Sequence, residues 1–157
     1  MLIEVQRWNW KTPVQDNIGA SAIWTDLPGV VTEVNGDVLK HECLKVTVFD
    51  KNKLTSDQII GTGTAPLRKA GSCPDQDTVI RIRLMDKHKM PVGTAVLTVQ
   101  VNAHTERTGD AHGDQQMPDV KALPKFGFLE FKGISAKNLK NTGMLFHSFY
   151  LSIYHNF

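Results

Sequence analysis

Apolar and polar residues alternate along most of this chain, with the period of two that belongs to strands buried on one face. In "LKVTVFD" (44–50), Leu44, Val46 and Val48 fall on one face and Lys45, Thr47 and Phe49 on the other. "TVIRIRLMD" (78–86) sets Ile80, Ile82 and Leu84 against Val79, Arg81 and Arg83. The pattern returns in "TAVLTVQVNA" (94–103) and in "GFLEFKGISA" (127–136), where Leu129 and Phe131 oppose Phe128, Glu130 and Lys132. Turn formers separate the runs: Pro28-Gly29, Asn35-Gly36, Gly71 with Pro74, and Lys89 to Gly93 around Pro91. No long segment shows the three-and-four spacing of a helix. Short strands at even spacing with turn signals between them predict an all-β sandwich.

Residues 103–125 break this rhythm. The stretch is polar, carries Gly109, Gly113, Pro118 and Pro124, and has no strand pattern, so it reads as a linker or long loop. It divides the chain into a body (1–102) and a tail (126–157). The tail is rich in apolar and aromatic residues, among them Phe126, Phe128, Phe131, Tyr150 and Tyr154, which is unlike the composition of disordered segments.

Composition narrows the function classes. A hydrophobic share of 41% supports a core, and a net charge of +2 gives no case for nucleic acid. Cys43 and Cys73 form no metal-site spacing, and Cys43 beside "LKVTVF" reads as a buried apolar thiol. No apolar run approaches the ~18 residues of a membrane span, and "MLIEVQRWNW" lacks the charged-then-apolar order of a signal peptide. These features lead to the expectation of a reduced, cytoplasmic protein. The scattered histidines (His41, His88, His104, His112, His147, His155) have no ligand spacing, and no nucleophile, phosphate-loop or zinc motif is present. "GTGTAP" (61–66) follows a loop and opens a strand, so it does not read as a phosphate loop. An enzyme is not expected.

Taken as a series, "LKVTVFDKNKLTSDQIIGTGTAPL" and "VIRIRLMDKHKMPVGTAVLTVQV" resemble the second half of a C2 domain. Upstream, "WKTPVQDNIGASAIWTD" is similar to the family's segment around a buried aromatic, here Trp24, with Ile23 in place of the usual proline. The tail's "GFLEFKGISAKNLKNTGMLFHSFYLSIYHNF" resembles the opening of another C2 unit. The resemblance implies an antiparallel Greek-key β-sandwich of about eight strands, which the family builds in two topologies related by circular permutation. The resemblance therefore implies that a tail strand, "FGFLEFKGISA", fills the place of the body's absent first strand. Otherwise the same strand would pair with a second copy in a strand-swapped homodimer.

The resemblance also implies a cation loop. Calcium-binding members hold the ion with five aspartates from two loops, because a hard cation takes clustered carboxylate oxygens. In one loop the pattern is D-x-D-x-x-x-x-x-D-x-x-G, and registering it on Gly61 gives Asp50, Asn52 and Gln58, with Asp57 next to the last position. Two acids are thus amides. The tail's counterpart loop offers Gly143 (or Thr142) and Ser148 where the other acids would stand. No cofactor is expected, with weak calcium binding through Asp50 and Asp57 as the alternative, and Asp50 and Asn52 read as ordinary turn residues.

Two places suit contacts. Arg7, Trp8 and Lys11 match the start of a strand that bears a basic patch in some C2 domains. Lys87, Lys89 and Met90 make a basic turn with an apolar tip. The expected function is a non-enzymatic binding module for anionic phospholipid at a membrane surface, peripheral and calcium-independent. The alternatives are a protein-interaction module or part of a tandem C2 protein.

Overall fold

The computed structural model describes residues 9–16, 19–25, 27, 29–51, 56–103, 126–140 and 148–154. Among the described residues, ten strands form one antiparallel sheet that curls into a half-barrel, an all-β sandwich-like architecture. They are β1 (Trp10–Lys11), β2 (Gln15–Asp16), β3 (Ala22–Trp24), β4 (Val30–Asn35), β5 (Cys43–Lys51) and β6 (Gln58–Pro66), then β7 (Asp77–Met85), β8 (Pro91–Ala103), β9 (Phe126–Lys137) and β10 (Ser148–Tyr154). Their order is β1-β10-β5-β6-β7-β8-β9-β3, with β2 also on β10 and β4 also on β9.

Both tail strands are interior to this order. β9 runs antiparallel to β8 from Thr94↔Lys137 to Ala103↔Gly127, and its other edge takes β3 and β4. β10 lies between β5 and the short strands β1 and β2. Since Ala103 pairs with Gly127, β9 begins beside the end of β8.

Curling arises from strand twist and from what the two sheet ends do. At the ends, the Trp24 indole Nε1 donates to the Pro13 carbonyl at 2.9 Å, and the Gln15 side-chain amide donates to the Ile23 carbonyl. Side chains thus tie the β2 and β3 margins together.

The alternation in the sequence decides which face is inside. Leu44, Val46 and Val48 of β5, Ile80, Ile82 and Leu84 of β7, and Leu97, Val99 and Val101 of β8 are all buried, as are Leu129, Phe131 and Ile134 of β9. Removing such apolar surface from water is the main term holding the sheet closed, at ~25 cal/mol per Å². Cys43 departs from its expected burial. Leu44 takes the inward position, so the period of two turns Cys43 outward, and it is exposed.

Among the described residues two short helices, α1 (Gly36–His41) and α2 (Arg68–Gly71), connect β4 to β5 and β6 to β7. The Asn35-Gly36 pair, a turn signal in the sequence, is a helix start: the Asn35 side chain accepts from the Val38 N–H at 2.9 Å. Asp37 in the first turn and Lys40 and His41 in the last suit the helix dipole. Among the described residues no helix is long and apolar enough to cross a membrane.

Candidate binding surface at the loop end

The antiparallel registers gather several connections at one end of the sheet. There β2, β5, β7 and β9 finish and β3, β6, β8 and β10 begin. The chain leaving β9 is fastened to both neighbours: Leu139 N–H donates to the Ala20 carbonyl and Lys140 N–H to the Val92 carbonyl, each at 2.9 Å.

The β7–β8 hairpin is the best-defined part. Asp86 organises it, a role that the sequence pattern alone does not single out. Its carboxylate Oδ1 accepts from the backbone N–H of His88 at 2.8 Å and of Met90 at 2.9 Å. Its own N–H donates to the Met90 carbonyl at 2.9 Å, and its carbonyl accepts from Lys89 N–H at 3.0 Å. This closes an Asx-type turn and holds Lys89 at φ 60°, a left-handed conformation that a non-glycine residue adopts only when its surroundings fix it. An aspartate at a strand end, followed by polar residues and a proline, is the signal that could have found it.

The Met90 N–H bond holds the Asp86 carboxyl below the usual carboxylate range. The His88 N–H and the charges of His88 and Lys140 act in the same direction, and partial desolvation opposes them. A folded-state pKa below the unfolded one means that Asp86 stabilises the turn above the unfolded value, and that this is lost as pH falls through the folded value. The amide resonances of His88 and Met90 are therefore expected to titrate together in acid, with a midpoint below that of an ordinary aspartate. A midpoint at or above the ordinary value would contradict the geometry.

The turn fixed this way presents Lys87, His88, Lys89 and Met90 to solvent, with Met90 58% exposed. At the same end, Ile60 is buried and so turns its neighbour Ile59 outward, leaving it 61% exposed. Lys51, Lys137 and Lys140 are exposed there too, against Asp57 and Asp86. The result is a lysine-rich end with two apolar tips.

The proposed cation positions fall out differently. Asp50 is not a turn residue. It is the last core-facing position of β5, in phase with Leu44, Val46 and Val48, and is 4% exposed. Asp57 and Gln58 are exposed at the start of β6. Asn52 lies outside the described residues, as do Thr142 and Gly143 of the counterpart loop. Among the described residues no three of His, Cys, Asp or Glu come together in a way that could hold a metal ion.

Of the other contact residues, Arg7 and Trp8 lie outside the described residues. Lys11 is exposed on β1, opposite Ser152, at the far margin of the sheet from the β7–β8 hairpin. The structure thus groups Lys87, Lys89 and Met90 and leaves Lys11 apart. No family model, no curated protein and no solved structure matches this chain.

Proposed function

We propose that the protein is a non-enzymatic C2-type binding module whose lysine-rich end rests on anionic phospholipid at a membrane surface, without calcium. The observation that carries this reading is the joint exposure of Met90 and Ile59 among Lys51, Lys87, Lys89, Lys137 and Lys140 at one end. Lysines near an anionic bilayer contribute about 1 kcal/mol each, so these five correspond to a dissociation constant of about 0.2 mM. Burying the Met90 side chain adds about 1.5 kcal/mol or more, another tenfold or so. The reading is thus of a peripheral, salt-sensitive association of cytoplasmic type. The resemblance to C2 domains, the antiparallel sheet and its tail-strand insertion support it.

Co-sedimentation with phosphatidylserine vesicles tests it. Binding is expected at low salt, and to fall steeply once added salt shortens the screening length to a few ångströms. Met90→Asp is expected to weaken it about tenfold. Millimolar calcium is expected to change neither sedimentation nor Tm. No sedimentation at low salt would turn the reading toward protein contacts, and a clear rise in Tm with calcium would restore a working cation site. The protein-contact reading has its own support in the gap between β6 and β7.

A further inference from the structure

The sheet is not closed evenly. β7 is paired with β8 from Asp77 to Met85. On its other edge, β6 meets it at Thr62↔Met85, and the two strands part further along. β6 itself explains the parting. Gly63 lets it pass close over β7, since a Cβ there would run into the Arg83 carbonyl oxygen. Pro66 then has no N–H to give to a ladder, and Leu67 leads into α2. What remains is a groove of about 270 Å³ with Ala65, Pro66 and Lys69 on one wall and Val79, Ile80 and Arg81 on the other.

Backbone groups of β7 point into it. Lys69 Nζ donates to the Val79 carbonyl at 3.5 Å, so that carbonyl lies on the side away from β8. Backbone polar groups alternate sides along an antiparallel strand, and the N–H and C=O of Arg81 therefore face the same way. A strand edge that offers both groups inside a groove is what an extended peptide needs in order to add as a strand.

The side chains choose the peptide. Among the described residues lining the walls are two cations, Lys69 and Arg81, and no carboxylate. Arg68 and Arg83 are exposed on either side. Asp77, the acid at the start of β7, is occupied by Lys132 at 3.1 Å. Ala65, Pro66, Val79 and Ile80 supply the apolar part of the lining.

We infer that this groove binds an extended, acidic segment of a partner protein, paired to β7 as an added strand with its carboxylates set against Lys69 and Arg81. The groove deepens the protein-contact reading and is separate from the lysine-rich end: Arg81 is four residues, about 13 Å, along β7 from Met85. The two sites therefore fail or hold independently.

The probe is a short fluorescent peptide alternating valine and glutamate, titrated into the full chain with anisotropy and amide chemical shifts as readouts. Saturable binding is expected, with shifts centred on the amides of Lys69, Val79 and Arg81, and Lys69→Glu with Arg81→Glu is expected to weaken it about tenfold or more. The valine–lysine peptide and an N-methylated valine–glutamate peptide are expected not to bind. Equal binding of either control, or shifts elsewhere, would overturn the inference. So would vesicles of phosphatidylserine that shift these same amides while the peptide does not, which would make the groove a lipid contact. The shifts on the unaltered protein decide the matter even where a charge-reversal variant folds poorly.

Discussion

A chain cut after Ala103 is expected not to fold. The truncation takes β9 out from between β8 and the β3–β4 pair, and β10 out from between β5 and the β1–β2 pair. β8 would lose its ladder from Thr94 to Ala103, and β3 and β4 would lose the partner that holds them. The core would lose Leu129, Phe131, Ile134 and Leu139, each 3% exposed or less. Burying one such side chain contributes about 1.5–3 kcal/mol, so these four represent roughly 6–12 kcal/mol. That matches the whole stability of an ordinary domain, about 5–15 kcal/mol, before any lost strand pairing is counted. The newly open edges of β8 and β5 would also invite aggregation. Circular dichroism, amide dispersion and size exclusion of residues 1–103 check the expectation. A soluble monomer with a cooperative melt and dispersed amides would sink it, because the body would then hold its sheet without the tail.

The sequence makes strand positions and facing readable because a half-buried strand has to alternate. Asp77–Met85 and Cys43–Lys51 lie within one residue of the runs read from "TVIRIRLMD" and "LKVTVFD", and the apolar inward sets are those the pattern gives, while Thr47, on the opposite face of β5, is buried as well. Cys43 is misjudged when its apolar neighbours are weighed more heavily than its phase against Leu44. Helices α1 and α2 escape periodicity because six and four residues cannot display a repeat of 3.6. In α1 the Asn35-Gly36 pair fits a turn and a helix cap alike, and only the bond to Val38 N–H separates them. Strand neighbours are harder still. Nothing local in "SFYLSIY" says that it enters between β5 and the β1–β2 pair, because that choice depends on edges left open elsewhere.

The candidate surface is legible where a turn alone creates it, and not where it depends on assembly. Lys87, Lys89 and Met90 stand out as a basic turn before Pro91 in the bare sequence. Ile59 does not, since its exposure comes from Ile60 being buried in a sheet whose register is set by distant strands. The reading of Asp50 as a turn residue fails for a local reason. The family-like loop pattern draws it into the loop, whereas its phase with Val46 and Val48 keeps it on the inner face of β5.

Phe131→Ala is expected to destabilise the protein by about 3–5 kcal/mol, the range for deleting a fully buried aromatic ring. Phe131 is 2% exposed and pairs across β9 with Val99 of β8 on one side and Val30 of β4 on the other. Few positions could collapse to fill the space, because its neighbours sit in ladders that fix their backbones. Phe128 is the internal control. It lies three residues earlier on the same strand, faces outward and is 39% exposed, so Phe128→Ala is expected to cost about 1 kcal/mol or less. At this chain length a loss of 3–5 kcal/mol lowers Tm by roughly 6–20 °C. Urea or thermal melts followed both by far-ultraviolet dichroism and by tryptophan fluorescence measure it. The three tryptophans, Trp8, Trp10 and Trp24, all belong to the first part of the chain, and Trp24, 4% exposed on β3 and paired with Ile134 of β9, lies inside the shared core. If the two variants cost the same, Phe131 is not the core residue that its burial indicates. If the Phe131→Ala melt leaves the tryptophan signal behind while other structure is lost, the two parts of the chain unfold separately. One coincident, lowered transition is the outcome required by a core built jointly from both sides of residues 104–125.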